Sequence, residues 1–299
     1  MGGNWKIMNN SFRESDSSLC LPTAGNIAQS QREECLVGER VSLLGVEYER
    51  VTTRDGGELY LTHFGLPFRA QLLPENWYEP HWFRGRRVRL EGTSAIYKVP
   101  TKRVNGMCIE LVVRFSRMGQ EIPLDPGTLS ENPDAEFNSP FEEFGLVMQL
   151  RGAHSRALRR RMLTKKPLAI YVPATRLEDW ESGRLESKMA QKSARHPEAK
   201  LDISRPYILL YGWIKGLNAV QATQAHGIGG NAPDKFLSEI TLTVIHELEA
   251  LGFHVVDMKP SHVIVRVRPD GSLLRDQNGN PAYALVDYEL LDRLSCSTF

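Results

Sequence analysis

The chain alternates hydrophobic and polar residues between positions 37 and 123, a pattern that is typical of half-buried β-strands. Two turn signals punctuate this region: Asp55-Gly-Gly precedes one apolar run, and Asn105-Gly106 separates the last two. The region is therefore predicted to be β-rich, with strands at 41–48, 58–64, 87–91, 94–99 and 109–115. Residues 1–35 are polar, lack periodicity and are predicted to form a flexible arm.

Helical periodicity occurs twice in the rest of the chain. A helix is predicted over 140–151, because Ser139 is a good N-cap, Pro140 fits the first helical position and Glu142 completes a capping box. A second is predicted over 234–251, with its aliphatic residues on one face. Further strands are predicted at 167–174, 206–214, 262–267 and 282–287, with a loop at 124–138 and a polar insert at 176–205. This order predicts an α+β fold with mostly antiparallel strands.

Composition narrows the class of protein. The 299 residues are 41% hydrophobic and 24% charged with a formal net charge of +1, which excludes a strongly basic nucleic-acid coat protein and an acidic disordered tail. No run of 18 apolar residues is present, so no membrane partner is expected. The four cysteines form no Cys-x-x-Cys pair, which indicates neither a zinc site nor a disulfide framework, and a cytoplasmic location is expected.

One stretch of the chain points to specific chemistry. The sequence Asp257-Met-Lys259-Pro260-Ser-His262 directly follows the second predicted helix, and the hairpin after it ends in Asp287-Tyr-Glu. Taken alone, a charged turn with proline is common between a helix and a strand. In this order, however, the sequence resembles the protein-kinase-like superfamily. There a long helix leads to a catalytic loop with Asp-x-Lys-Pro-x-Asn, and a short hairpin leads to the metal-binding Asp of a DFG-type motif.

The resemblance implies a kinase-like bilobal fold. Its N-lobe, at 85–215, would be an antiparallel sheet with one helix equivalent to the kinase helix αC, and it would follow a β-rich extension at 36–84. The C-lobe, at 216–299, would be truncated, because only 12 residues follow Asp287. A protein partner is expected to cover the place of the missing helices.

The resemblance also implies the roles of the motif residues. Asp257 would accept the proton of the acceptor hydroxyl, and Lys259 would stabilise the transferred phosphoryl group. Asp287 would bind Mg²⁺ or Mn²⁺ next to ATP. His262 stands where the family has Asn, and as a nitrogen ligand it would suit Mn²⁺ or Zn²⁺ better than Mg²⁺. The alternative for His262 is a strand-start histidine with a single hydrogen bond.

Four residues of the N-lobe are implied to bind the nucleotide. Gly92 would form the turn over it, and Gly212 would lead into the hinge. Arg114 stands on the third strand where the family has Lys, and Glu143 is its expected ion-pair partner, because Glu142 already serves the helix cap. Simpler alternatives stay open. Gly92 could be an ordinary turn glycine, Arg114 an outward-facing charge on the strand, and Glu143 an exposed carboxylate on the helix.

Three functions follow from these features. The preferred one is an atypical kinase-like protein that binds ATP and transfers its γ-phosphoryl group to a hydroxyl. The second is a catalytically inactive pseudokinase that acts as a protein-binding scaffold, suggested by His262, Arg114 and the degenerate Asp287-Tyr-Glu motif. The third is nucleic-acid binding through the basic run at 151–166, against which the net charge of +1 counts. The aromatic residues between 77 and 83 are expected to pack against the sheet.

Overall fold

The structure is a computed structural model that describes residues 38–92, 94–124, 126–156, 162–276 and 279–294. The predicted arm at 1–35 lies outside the described residues. The first half contains the strands and helices β1 (Glu39–Leu43), β2 (Val46–Thr52), β3 (Glu58–Leu61), α1 (Arg69–Leu72), α2 (Pro80–Arg86), β4 (Val88–Arg89), β5 (Ile96–Pro100), β6 (Glu110–Phe115), α3 (Pro126–Glu131) and α4 (Pro140–Arg156). The second half contains β7 (Leu163–Thr164), β8 (Pro167–Val172), α5 (Asp179–Ser182), α6 (Glu186–Arg195), β9 (Ile208–Gly212), β10 (Leu217–Asn218), α7 (Ala219–His226), α8 (Pro233–Ala250), β11 (Phe253–Val255), β12 (Val263–Val265), β13 (Tyr283–Leu285) and β14 (Leu291–Arg293).

Eight strands form one antiparallel sheet in the order β1-β2-β3-β8-β9-β6-β5-β4. Strands β8 and β9 lie near its middle and are almost entirely buried, as their continuous apolar sequences predict. Strands β1 to β3, from the predicted extension, join the same sheet as the strands that follow them. The α+β fold with mostly antiparallel strands is therefore confirmed.

Helix α4 packs on this sheet through the apolar face that its sequence predicts. Phe141, Phe144, Val147 and Leu150 are all buried, and they share one core with Leu209 of the sheet. The predicted capping box is present: the Ser139 N–H donates to Glu142 Oε2 at 2.6 Å, and the Glu142 N–H donates to Ser139 Oγ at 3.2 Å. The cap fixes where α4 begins and so which of its side chains face the sheet.

The C-terminal part contains two small sheets beside α8. Strands β10, β12, β13 and β7 form one, in which β7 is parallel to β13 and the other pairs are antiparallel. Strands β11 and β14 form the other. The predicted terminal hairpin is present, because Val263 of β12 pairs with Leu285 of β13. No helix in the described ranges has the length and apolar character needed to cross a bilayer.

Several predicted boundaries are wrong. The single strand at 41–48 is a hairpin, in which Leu44 (φ 49°) and Gly45 (φ 75°) both adopt the left-handed conformation of a tight turn. The predicted loop at 124–138 contains α3, and the polar insert at 176–205 contains α5 and α6. Helix α7 was not predicted, although Asn218 and Gln221 form its capping box.

Candidate functional site

A cavity of about 380 Å³ lies where the large sheet meets the β10-β12-β13-β7 sheet. Its walls come from the turn between β4 and β5, from β6, from the segment after β9, and from the segments that flank β12 and β13. The volume is in the range of small-molecule sites. Five of the eight residues predicted for the site line it, namely Gly92, Asp257, Lys259, His262 and Asp287.

The turn after β11 positions Asp257 and Lys259. Pro260 begins a short 3-10 turn at Pro260–His262, and this turn leads directly into β12. The Lys259 ammonium lies 2.7 Å from Asp257 Oδ2. More than half of the Lys259 side chain is exposed, whereas Asp257 is about one quarter exposed (56% and 27%). The Asp257 carboxylate therefore faces the cavity with a cation beside it.

Strand pairing between β12 and β13 brings His262 next to Asp287. The Val286 N–H donates to the His262 carbonyl at 3.0 Å, so the two side chains are neighbours across the hairpin. His262 Nε2 lies 3.4 Å from Asp287 Oδ2. Burial alone would raise the pKa of Asp287, but its interactions with His262, with the Arg114 charge and with the Glu289 N–H hold it below its usual value. Asp287 is therefore an anion at neutral pH.

The predicted ion pair between strand and helix is present, and it is buried. Arg114 of β6 contacts the Glu143 carboxylate of α4, and both side chains are less than 8% exposed. The same guanidinium also contacts Glu289, the third residue of the Asp287-Tyr-Glu motif. Ser94 Oγ donates to the Glu289 carboxylate at 2.5 Å, and the Tyr211 hydroxyl donates to Glu143. The alternative of an outward-facing strand charge is therefore excluded.

Burial and charge act in opposite directions on the pKa values in this cluster. Burial alone would lower the pKa of the Arg114 guanidinium, but the charges of Glu143 and Glu289 raise it well above its usual value. Burial raises the pKa of Glu143, and the Arg114 charge opposes this shift. Arg114 is thus the shared counterion of two buried carboxylates. It does not line the cavity, and neither do Glu143 and Gly212.

Lys165 is a site residue that the sequence motifs do not predict. Lys165 follows β7 directly, is buried, and lines the cavity. Its ammonium donates to the Val286 carbonyl at 2.7 Å, and its backbone N–H donates to the Tyr288 hydroxyl at 2.8 Å. Burial lowers the pKa of Lys165 to about 8. The sequence placed this lysine in a solvated basic run, although its position just before the apolar strand β8 was a signal of burial.

The cavity offers two side chains as ligands for a divalent cation. Asp287 supplies a hard carboxylate oxygen and His262 an imidazole nitrogen, and one ring nitrogen of His262, Nδ1, is buried without a hydrogen-bond partner. No cluster of three or more His, Cys, Asp or Glu suited to a metal occurs in the described part of the chain. Mg²⁺ is commonly bound through one or two carboxylates together with substrate phosphates, and the imidazole favours Mn²⁺. The pair thus fits a cation that shares its coordination with phosphate.

A second and larger cavity, of about 1330 Å³, lies elsewhere on the molecule. It is lined by α8 as far as Glu247, by the segment at 226–232, by the link between β12 and β13 at 271–283 and by Leu163. None of the residues predicted for the site lines it. Its lining also contains carboxylates and an imidazole, but its cations, Lys235 and Arg275, are exposed, whereas the smaller cavity has the buried Lys165.

Two other predicted features are the aromatic residues at 77–83 and the basic run at 151–166. The aromatic residues at 77–83 pack against the sheet as expected: Trp77 is fully buried, and its ring N–H donates to the Leu72 carbonyl at 2.9 Å. Within the basic run, Arg151 donates to Thr164 at 2.7 and 2.9 Å, and Lys165 is buried. Residues 157–161 of that run lie outside the described residues.

Comparisons with known proteins give no family. No family model matches the sequence, and no curated protein matches it. Among solved structures, the chain is similar to a BubR1 kinase domain (TM-score 0.37, 9% identity, covering 86% of this chain and 53% of that one). It is also similar to WaaP in complex with acyl carrier protein (0.36, 10%, 79% and 72%) and to Rad53 1-466 in complex with AMP-PNP (0.27, 10%, 82% and 61%). The chain spans about half the length of the BubR1 chain, and scores of this size do not establish a common fold.

Proposed function

We propose that this chain is a kinase-like nucleotide-binding protein whose smaller cavity holds ATP together with a divalent cation. One observation carries the proposal: the residues of the Asp257–His262 motif, Asp287 and Gly92 line the same cavity. They come from distant parts of the sequence, and a cavity of about 380 Å³ is large enough for a small-molecule ligand.

The order of elements supports the same proposal. Within residues 85–215, β4 to β6 precede α4, and the short strand β7 and the sheet strands β8 and β9 follow it. After β10 and α7, the long helix α8 leads to the motif loop and its hairpin. If β7 is set aside, three strands lie before the helix and two after it in this part of the sheet. This is the order that the kinase resemblance implies. In the proposal, residues 85–215 form the N-lobe and residues 216–299 the C-lobe, and strands β1 to β3 widen the N-lobe sheet.

Asp287 and His262 would hold the cation, Mg²⁺ or Mn²⁺. When bound, the cation supplies positive charge against the ATP phosphates. The chain's own groups would then transfer the γ-phosphoryl group to a hydroxyl. Asp257 accepts the proton of the acceptor hydroxyl, and Lys259 neutralises charge on the transferred group.

A catalytically inactive scaffold is the second candidate. It is favoured by the engagement of Arg114 with two carboxylates, because a cation that is already neutralised contributes little to gripping phosphates. In this alternative the cavity binds nucleotide without turnover, and a protein partner binds the nucleotide-bound state. The cytoplasmic location stays a prediction from the cysteine pattern.

A thermal-shift titration tests nucleotide binding. A ligand that binds only the folded protein raises the unfolding midpoint. We expect ATP with Mn²⁺ or Mg²⁺ to raise it for wild type, and Asp287→Asn to abolish the metal-dependent part. Asp270→Asn is the matched control, because Asp270 is exposed in the link between β12 and β13 and lies outside the cavity. No shift with either metal would contradict the proposal.

A turnover assay separates the two candidates. With wild type, we expect loss of the ATP γ-phosphate to a hydroxyl acceptor or water, and Asp257→Asn should abolish it while the thermal shift is retained. A wild-type protein that binds ATP with no turnover above that of Asp257→Asn would instead support the scaffold.

A further inference from the structure

Arg114 is poorly placed to bind phosphate. It does not line the cavity, it is almost completely buried, and it is shared by the Glu143 and Glu289 carboxylates. A phosphate group would have to compete with two buried carboxylates for Arg114, and Glu143 would then lose its counterion. The cation on the third strand is therefore a structural residue of the cluster between sheet and helix.

Lys165 has the opposite properties. Its side chain lines the cavity, and within the described ranges no carboxylate oxygen lies within 4.0 Å of its ammonium. The bond to the Val286 carbonyl uses one of its three donors. By contrast, Lys259 on the same cavity wall is paired with Asp257. A buried ammonium without a paired carboxylate is costly, and an anionic ligand would relieve that cost.

The fold holds Lys165 at a fixed place in the cavity. Strand β7 pairs with β13, so that Thr164 lies opposite Leu285, two residues before Asp287. The Lys165 N–H donates to Tyr288, on the other side of Asp287. Strand β8 begins only two residues later, in the large sheet. Lys165 is thus anchored from both sheets, beside the carboxylate proposed to hold the cation.

We propose that Lys165, and not Arg114, is the residue that binds the phosphates of the nucleotide. This assignment rests on the proposed function, because it gives a role to a residue in the same nucleotide-binding cavity. It places the phosphate-binding cation in the segment between β7 and β8, which follows α4, instead of on β6, which precedes α4. Discrimination between ATP and adenosine then depends on Lys165.

The test compares ATP with adenosine by calorimetric titration in the presence of Mn²⁺, using wild type, Lys165→Met and Lys166→Met. Methionine matches the length of lysine and suits a buried position, so the variant should fold. Lys166 is the matched control, because it is adjacent in sequence, exposed, and absent from the cavity wall. Lys165→Arg is a second variant that retains the charge.

We expect Lys165→Met to weaken ATP binding by about tenfold or more, which is the usual contribution of a hydrogen bond to a charged group. Adenosine binding should not change, Lys166→Met should behave as wild type, and Lys165→Arg should recover part of the preference for ATP. An unchanged ratio of ATP to adenosine affinity in Lys165→Met would overturn the assignment while leaving the nucleotide cavity intact. If wild type binds neither ligand, the proposed function fails, and this assignment fails with it.

Discussion

Arg114 is the residue on which the ionic cluster between β6 and α4 depends. It is the counterion for Glu143 and Glu289, and all three side chains are at most 8% exposed. Ser94 and Tyr211 donate hydrogen bonds to the two carboxylates, so the cluster is tied to the sheet on both sides. Such a cluster fixes the position of α4 against β6 but adds little net stability. The lost hydration of each buried charge offsets the attraction between the charges.

Replacement of Arg114 by methionine should be strongly destabilising. It leaves Glu143 without its cation and leaves Glu289 with Arg117 at 3.8 Å, and removal of one partner from a buried ion pair typically costs about 3–5 kcal/mol. We expect Arg114→Met to lower the free energy of unfolding by about that amount in urea denaturation. Arg84→Met is the control, because Arg84 is exposed on α2, and its loss should stay below about 0.5 kcal/mol. Equal losses in the two variants would refute the buried cluster.

The sequence allowed one half of this cluster to be predicted. Glu142 was already assigned to the cap of α4, and this left Glu143 as the partner of Arg114. Glu289 could not be predicted as the second carboxylate, because it is far from Arg114 in the sequence. The two residues meet only because β13 and the turn after it fold next to β6. Lys165 could not be predicted as a site residue for a similar reason. Its position just before the apolar strand β8 indicates burial, but its place beside Asp287 results from the pairing of β7 with β13, a strand far along the chain.

At the scale of elements, α6 holds the start of α4. Lys192 of α6 is 1% exposed, and its ammonium lies 3.0 Å from Glu142 and 3.0 Å from Glu136. His196 Nε2 lies 2.7 Å from the other oxygen of Glu142. The insert between β8 and β9 therefore supports the first turn of the helix that bears Glu143. Because Glu143 fixes Arg114, the insert stabilises the wall behind the cavity.

The charge of Glu142 should make part of the stability pH-dependent. Burial alone would raise its pKa, but the Lys192 charge and the bonds from Ser139 hold it below the ordinary value of 4.5. A carboxylate whose pKa is lowered by folding stabilises the protein fully above its unfolded pKa, and this contribution is lost as pH falls through the folded pKa.

The variant Glu142→Gln tests this effect, because glutamine can keep the capping bond but not the charge. We expect it to lower the free energy of unfolding relative to wild type at pH 7, and we expect this difference to shrink below about pH 4.5. Chemical denaturation at several pH values measures it, with Glu186→Gln on the exposed side of α6 as control. A difference that is constant from pH 7 to pH 3 would contradict the role of the charge.

The sequence predicted the long elements well and the short ones poorly. Helices α4 and α8 and the central strands β6, β8 and β9 have strong periodicity or long apolar runs, and each is present within a few residues of its predicted bounds. The turn at Leu44-Gly45 was missed because the apolar residues continue across it. Helix α6 could not be predicted from hydrophobic periodicity, because its buried side includes Lys192. Lysine is a polar residue in such a pattern, and Lys192 is buried because it pairs with carboxylates.

At the scale of the whole molecule, the smaller cavity is formed by segments that are far apart in the sequence, from Leu90 to Leu290. The turn at Glu91-Gly92 and the strand β6 supply one wall, and the segments around β12 and β13 supply the other. The larger cavity is formed mainly by 226–247 and the link at 271–283, with Leu163 of β7. Function is therefore assigned to the cavity in which the predicted site residues come together.

Photolabelling with 8-azido-ATP, followed by mass spectrometry of the labelled peptides, tests this assignment most directly. We predict labels in segments that line the smaller cavity, such as 90–96, 112–124, 213–218 or 255–264, with labelling suppressed by excess ATP and reduced in Asp287→Asn. Labels confined to 226–247 or 271–283 would place the nucleotide in the larger cavity and contradict the account.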